Sequence, residues 1–263
     1  MQGYNHIDQH IHQLSQIITK ANRTFVPKQA DDSHTNLYFD SIARRVYGRW
    51  INAEKGNIIL ALNLQSFSFE WINDALKVIQ IHSIQGKTSS KIEQSIADAL
   101  PEIGLRAKDF RNDLHFKISE YPFLNEPFSN FEAKDLTQWE HYRSLGNKAC
   151  FALLGLLQAT SEIRIWPHHF DTGIYVEPNK NVGFGFGLAM EDSMVGIPYF
   201  YFSGNELNGH AIDYNIVPEL TFGHWIINHH WKGAVLPLPD LEQDNSKTIH
   251  VFLKEVALWF LKN

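Results

Sequence analysis

The sequence predicts an α+β fold: a mainly antiparallel sheet flanked by a long central helix and by N- and C-terminal amphipathic helices. Strand-like segments come in runs rather than in regular alternation with helices, which is typical of α+β and not of doubly wound folds. Hydrophobic residues make up 44% of the 263, so the chain can bury a large core. No Gly/Ser/Pro-rich linker divides it, and residues 1–263 are therefore predicted to form a single domain.

Helical periodicity of apolar residues predicts four helices, at residues 5–21, 88–100, 133–160 and 249–260. The first should be a peripheral helix that begins at Asn5 as its N-cap and turns His6 and His10 toward solvent. Ser89 or Ser90 is expected to cap the second. The second half of the third helix is nearly all apolar, so we expect it to be buried.

Alternating apolar and polar residues, with many β-branched and aromatic side chains, predict strands at residues 58–71, 114–118, 163–177, 182–190, 198–202 and 224–238. The links at residues 178–181 and 192–196 are short and rich in turn-forming residues. Short links join antiparallel neighbours, so the strands between residues 163 and 202 are predicted to form an antiparallel meander.

Composition excludes several classes of function. The formal charge of −6 and the absence of a Lys/Arg cluster argue against nucleic-acid binding. Cys150 is the only cysteine, so neither an internal disulfide nor a thiolate zinc site can form. No apolar run reaches the roughly 18 residues of a membrane span, and the N-terminus does not resemble a signal peptide. These features predict a cytoplasmic protein without membrane contact; they do not indicate its oligomeric state.

The segment from Trp166 to Asp171 carries the strongest sign of chemistry. In a strand, His169 and Asp171 would share one face about 6–7 Å apart, so the carboxylate could orient the imidazole as a general base, or both could bind a divalent metal. Pro167 cannot donate to a sheet ladder, which suggests an irregular or edge strand there. In the alternative interpretation the histidines pack between strands and Asp171 caps a turn.

Aromatic side chains nearby could complete a pocket. Tyr199 and Tyr201 share one face of their predicted strand, and Trp166 and His168 share the face opposite His169. Together with His224 they could line an apolar site with a few polar groups, as small-molecule sites do. Core packing explains most of these residues equally well. Cofactor and metal identity stay undetermined, because no spacing such as HExxH fixes a ligand set.

The glycines of residues 183–187 alternate with Phe184 and Phe186. No helix follows them, so a dinucleotide-binding loop is not expected. A strand with bare glycine on one face fits better, and an aromatic ring or a ligand could then approach the backbone closely. Cys150 lies in the apolar half of the long helix, where a buried thiol is unreactive.

The order of several motifs resembles an uncharacterised bacterial family known only as a domain of unknown function. The shared features are Trp166 followed by Phe170-Asp171, the Pro-Tyr-Phe-Tyr strand of residues 198–201, and Leu236-Pro237 before a C-terminal helix. The resemblance extends from about residue 36 onward. The resemblance implies that Asp171 is the first candidate for a functional residue shared with this family, whereas the paired histidines depart from the family pattern. It implies no known reaction.

Two functions of different classes follow. The first is a small-molecule-binding protein or enzyme with an aromatic-lined His/Asp pocket, in which His169 and Asp171 would be catalytic. The second is a non-catalytic module whose aromatic surface binds a protein partner. A deep cavity would favour the first and a flat exposed aromatic patch the second.

Overall fold

The computed structural model describes residues 1–106, 108–241 and 245–263, which fall into two compact units. The N-terminal unit contains Gln2–His141 and Ile165–Phe170; the C-terminal unit contains Met1, Tyr142–Arg164 and Asp171–Asn263. Within these residues, two antiparallel sheets and four α-helices confirm the predicted α+β class. No helix within the described residues is both long and apolar enough to cross a membrane. That residues 1–263 form one domain stays a prediction.

The sheet of the N-terminal unit has the strand order β1-β2-β4-β5-β6, and β3 also pairs with β4. Its strands are β1 (Tyr38–Asp40), β2 (Arg45–Tyr47), β3 (Ile51–Ala53), β4 (Gly56–Asn63), β5 (Ser68–Asn73) and β6 (Val78–Ser83). The single strand predicted at residues 58–71 is therefore a hairpin. Asn63 Oδ1 accepts hydrogen bonds from the N–H groups of Gln65 and Ser66, and this side-chain turn interrupts the strand.

Helix α1 (Gln2–Phe25) begins three residues before the predicted cap. Its apolar stripe is buried, and so are polar side chains on the same helix, among them Asp8, His12 and Asn22. Asn22 shows how such groups are satisfied: its Nδ2 donates to Asn36 O at 3.1 Å and its Oδ1 accepts from Arg49 N at 2.9 Å. Polar positions of α1 therefore anchor loops of the N-terminal unit, because buried polar groups need partners.

Helix α2 (Ser89–Ala99) is capped by Thr88, whose Oγ1 accepts from Lys91 N at 3.4 Å, and not by Ser89 or Ser90 as predicted. The helix lies on the sheet face that carries His82 and Gln80. His82 Nδ1 is 3.1 Å from Ser95 Oγ, and Gln80 Nε2 donates to Ala99 O at 3.3 Å.

The strand predicted at residues 114–118 is wrong, because this segment forms no regular structure. The preceding backbone is held by a side chain instead of a neighbouring strand. Arg23 in α1 donates to the carbonyl oxygens of Asp109, Asn112 and Asp113 at 2.9–3.1 Å. A guanidinium that collects carbonyl groups from one short segment favours an irregular turn over an extended chain.

The C-terminal unit contains a sheet with the order β11-β12-β10-β9-β8. Its strands are β8 (Asp171–Val176), β9 (Val182–Ala189), β10 (Tyr199–Glu206), β11 (His224–Ile227) and β12 (Lys232–Pro237). The pairings of β8 with β9 and of β9 with β10 are antiparallel, which confirms the predicted meander. The strand predicted at residues 163–177 is divided into β7 (Arg164–Trp166) and β8 by a turn.

Helices α3 (Ala133–Leu157) and α4 (Asn245–Lys262) supply helical walls to the core of the C-terminal unit. Phe260 of α4 lies 5.7 Å from both Phe184 and Phe202, ring centre to ring centre, on the sheet face opposite Gly183, Gly185 and Gly187 of β9. The prediction that the whole second half of α3 is buried is wrong. Phe151 is 62% exposed and Leu156 is 50% exposed, so only one side of this apolar segment packs inward.

Leu153 lies on the buried side of α3 within this core and is fully buried. We expect Leu153→Ala to lower the free energy of unfolding by about 2–5 kcal/mol, because the lost contacts leave a cavity. Phe151→Ala, two residues earlier on the exposed side, should change it by less than about 0.5 kcal/mol. Urea denaturation followed by circular dichroism measures both. If both substitutions lowered the free energy of unfolding equally, Leu153 would not face the core and Phe151 the solvent as described.

Candidate functional site

A four-residue turn, Pro167 to Phe170, places two histidines on the surface of the N-terminal unit. Phe170 N donates to Trp166 O at 2.6 Å, and Phe170 ends the turn in the left-handed region with φ of 54°. This conformation is costly for a bulky residue and persists only where surrounding contacts impose it. His168 and His169 are exposed, whereas Phe170 is fully buried. The predicted strand alternation therefore does not apply to them.

Helix α1 imposes the turn. Pro167 O accepts from His12 Nε2 and from Gln16 Nε2, both at 2.9 Å, and the Phe170 ring stacks on His12 with centroids 5.0 Å apart. Because a carbonyl oxygen can only accept, His12 Nε2 carries a proton. In neutral His12 the other nitrogen, Nδ1, accepts from the Tyr121 hydroxyl at 2.7 Å. Buried His12 thus positions the exposed histidines without being exposed itself.

A carboxylate–imidazole pair lies beside this turn. His115 Nε2 donates to Asp32 Oδ2 at 3.0 Å, with both side chains about half exposed. The Phe116 ring is 5.1 Å from His115 and 5.6 Å from His168, so it lies between the pair and the turn. Asp32 also has a positive φ, 57°, at the start of a 3₁₀ turn. Strained backbone of this kind is frequent at functional sites.

The electrostatics of the group favour a neutral His168. Although the side chain is largely exposed, partial loss of hydration beside its neighbours lowers the pKa of His168 below its ordinary value; repulsion from His169 and His115 lowers the pKa further, while Asp32 raises it. The His168 and His169 rings lie 4.3 Å apart, and Trp166 meets His168 edge to face at 6.2 Å. At neutral pH His168 is therefore available as a proton acceptor.

This arrangement suits acid–base chemistry. A carboxylate that accepts one N–H of an imidazole fixes its tautomer and stabilises the imidazolium formed when the other nitrogen takes up a proton. In His115 the basic nitrogen is Nδ1. Within the described residues, no three His, Cys, Asp or Glu side chains are grouped so as to hold a metal ion.

Asp171 is placed differently, in the C-terminal unit. It is the first residue of β8, is 9% exposed, and its Oδ2 accepts from the Tyr201 hydroxyl at 2.5 Å. The Tyr201 side chain crosses Gly187 and Gly173, which pair directly between β9 and β8. Burial, followed by the Asp171 charge, raises the pKa of Tyr201 well above its ordinary value, so the phenol stays a donor.

The other predicted pocket residues have separate partners. Tyr199 is buried and donates to Asp192 Oδ2 at 2.7 Å, and burial raises the pKa of Tyr199. His224 is exposed on β11, opposite Val235. The structure thus brings Trp166, His168 and His169 together in the N-terminal unit. It brings Asp171 and Tyr201 together in the C-terminal unit.

Sequence reasoning missed Asp32, His115, His12 and Tyr121. No local signature marks them: Asp32 lies in a polar loop, and His115 in a segment interpreted as a strand. Asp32 and His115 are 83 residues apart, so only the fold pairs them.

Comparison of the chain with protein-family models, with curated proteins and with solved structures finds no match. The resemblance to a bacterial family of unknown function and the cytoplasmic location stay predictions.

Proposed function

We propose that the protein is a small-molecule-binding enzyme that transfers protons through His115, paired with Asp32, and His168. The observation that supports this most directly is the 3.0 Å bond from His115 to Asp32 beside a turn that α1 holds in a strained conformation. His115 Nδ1 would accept a proton from the substrate or from an attacking water, and Asp32 would stabilise the imidazolium. His168 in its neutral form, together with His169, would hydrogen-bond the substrate, with Trp166 and Phe116 as aromatic walls.

Hydrolysis of p-nitrophenyl acetate is a suitable probe, because neutral imidazoles accelerate it as bases or nucleophiles. We expect His115→Gln to lower the protein-dependent rate at least about tenfold. Asp32→Asn should lower it less, since asparagine tolerates the left-handed backbone at this position and removes only the charge. His250→Gln is the matched control: His250 is an exposed histidine of α4.

The pH profile gives a second readout. Because the pKa of His168 lies below the ordinary 6.5, its contribution to the rate should be complete by neutral pH. His168→Gln should remove the part of the profile that rises below pH 6.5. If the His115, Asp32 and His168 variants all hydrolyse the ester as fast as His250→Gln, the proposed acid–base site is wrong.

A further inference from the structure

A cavity of about 530 Å³ lies in the N-terminal unit, where α1 ends. Its walls are the last turn of α1 with Arg23 and Phe25, the β3–β4 turn with Glu54, and a third segment that contributes Gly104, Leu105, Arg106, Lys108 and Asp109. Small-molecule sites commonly have volumes of about 300–1,000 Å³. None of the residues assigned above to the acid–base site lines this cavity.

Two fixed contacts hold the walls together. Arg23 ties α1 to the backbone carbonyl groups of Asp109, Asn112 and Asp113. Gly104, with φ of 78°, packs directly on the β3–β4 turn: a Cβ there would lie 3.0 Å from Glu54 Cβ and 3.2 Å from Glu54 N. The cavity is therefore formed by segments that are distant in sequence and are held together by the Arg23 hydrogen bonds and the packing of Gly104 on Glu54.

One wall is apolar. Leu105 is buried, and the Phe25 ring lies parallel to the Phe110 ring at 6.4 Å. A flat apolar group on a ligand would be stabilised by packing against this wall, because the contact removes apolar surface from water.

Some charged side chains around the cavity already have partners within the protein, and others have none in the part of the chain that the structure describes. Arg23 is saturated by carbonyl oxygens, and Asp109 Oδ1 accepts from Asn112 Nδ2 at 3.1 Å. Arg106 and Lys108 have no ion-pair partner among the described residues. The lining thus carries three cations, Arg23, Arg106 and Lys108, against the two carboxylates of Glu54 and Asp109, which leaves a net charge of +1 around the cavity.

We infer that this cavity binds an anionic small molecule that joins a phosphate or carboxylate group to an apolar ring. Arg106 and Lys108 would pair with the anion, and Phe25 and Leu105 would contact the ring. Arginine is well suited to bidentate recognition of both anions. Glu54 would repel the anion, so its charge opposes binding.

Isothermal titration of the full chain with phenyl phosphate, benzoate, inorganic phosphate and phenol tests this inference. Phenyl phosphate or benzoate should bind saturably and more tightly than inorganic phosphate or phenol, and added NaCl should weaken binding. Whichever of the two ring-bearing anions binds more tightly identifies the headgroup. No saturable binding of either would overturn the inference.

Three substitutions assign binding to the cavity. Arg106→Gln and Lys108→Gln should each weaken binding about fivefold. Glu54→Gln should strengthen it by a similar factor, because repulsion is removed. Lys117→Gln, an exposed cation outside the cavity, is the control. Equal weakening by Lys117→Gln, or weaker binding by Glu54→Gln, would show that the cavity is not the site. All four positions are exposed, and circular dichroism checks that each variant folds.

Discussion

Replacing Gly187 by alanine is expected to lower the free energy of unfolding by about 3 kcal/mol. A Cβ at this position would lie 2.8 Å from Gly173 Cα and 2.8 Å from the Tyr201 hydroxyl, and closer still to Thr172 O. Two of these three atoms belong to the backbone of β8. That backbone cannot retreat easily, since Thr172 is buried and its Oγ1 accepts from buried Arg143 at 3.1 Å.

Two other glycines provide matched controls. At Gly185 an added Cβ meets Ser203 Oγ at 2.9 Å, a hydroxyl that can rotate away, so Gly185→Ala should cost less. At Gly155 in α3 nothing lies within 4 Å, and alanine should stabilise the helix by about 0.5–1 kcal/mol. Guanidinium denaturation ranks the three variants. A Gly187→Ala protein as stable as Gly185→Ala would mean that β8 and β9 are not packed as described.

The second large effect is expected at the Asp171–Tyr201 hydrogen bond. Asp171→Asn and Tyr201→Phe should each lower the free energy of unfolding by about 1.5–3 kcal/mol, because the first removes the charge of the acceptor and the second removes the donor of a partly buried hydrogen bond. The double variant should lose less than the sum of the two single losses, since both changes act on the same 2.5 Å contact. Thermal melts of the two single variants and the double variant measure the coupling energy.

The pH dependence of these variants has a definite sign. The pKa of Tyr201 is raised in the folded state, so folded protein keeps the phenol proton above pH 10.0, where the unfolded chain loses it. The stability that Tyr201 contributes is therefore present below pH 10.0 and falls as the pH rises above it. Tyr201→Phe should remove this part of the alkaline loss.

The same melts test the alternative role of Asp171. If Asp171 serves a ligand or metal, Asp171→Asn should leave the melting temperature nearly unchanged and abolish a stabilisation by added Zn²⁺ or Mn²⁺. A large drop in melting temperature without any metal response would instead assign Asp171 to the stability of the C-terminal unit.

Short-range patterns in the sequence are enough to predict elements whose stabilising contacts repeat along the chain. The apolar repeat of α4 and the alternation and short links of β8, β9 and β10 are of this kind. The paired histidines could be singled out in the same way, because they are adjacent to each other and to a proline.

Features that depend on contacts between residues far apart in the chain could not be predicted from such patterns. The sequence by itself determined the α+β class, the four helices, the meander and, through a single cysteine, the absence of an internal disulfide. Only the tertiary structure decided that Pro167 to Phe170 is a turn, because His12 and Gln16 bind Pro167 O from more than 150 residues away. Only the tertiary structure decided, too, that Asp32 is hydrogen-bonded to His115 and Tyr201 to Asp171. A polar side chain in a loop carries no periodic signal, and its partner is fixed by which segments the core brings together.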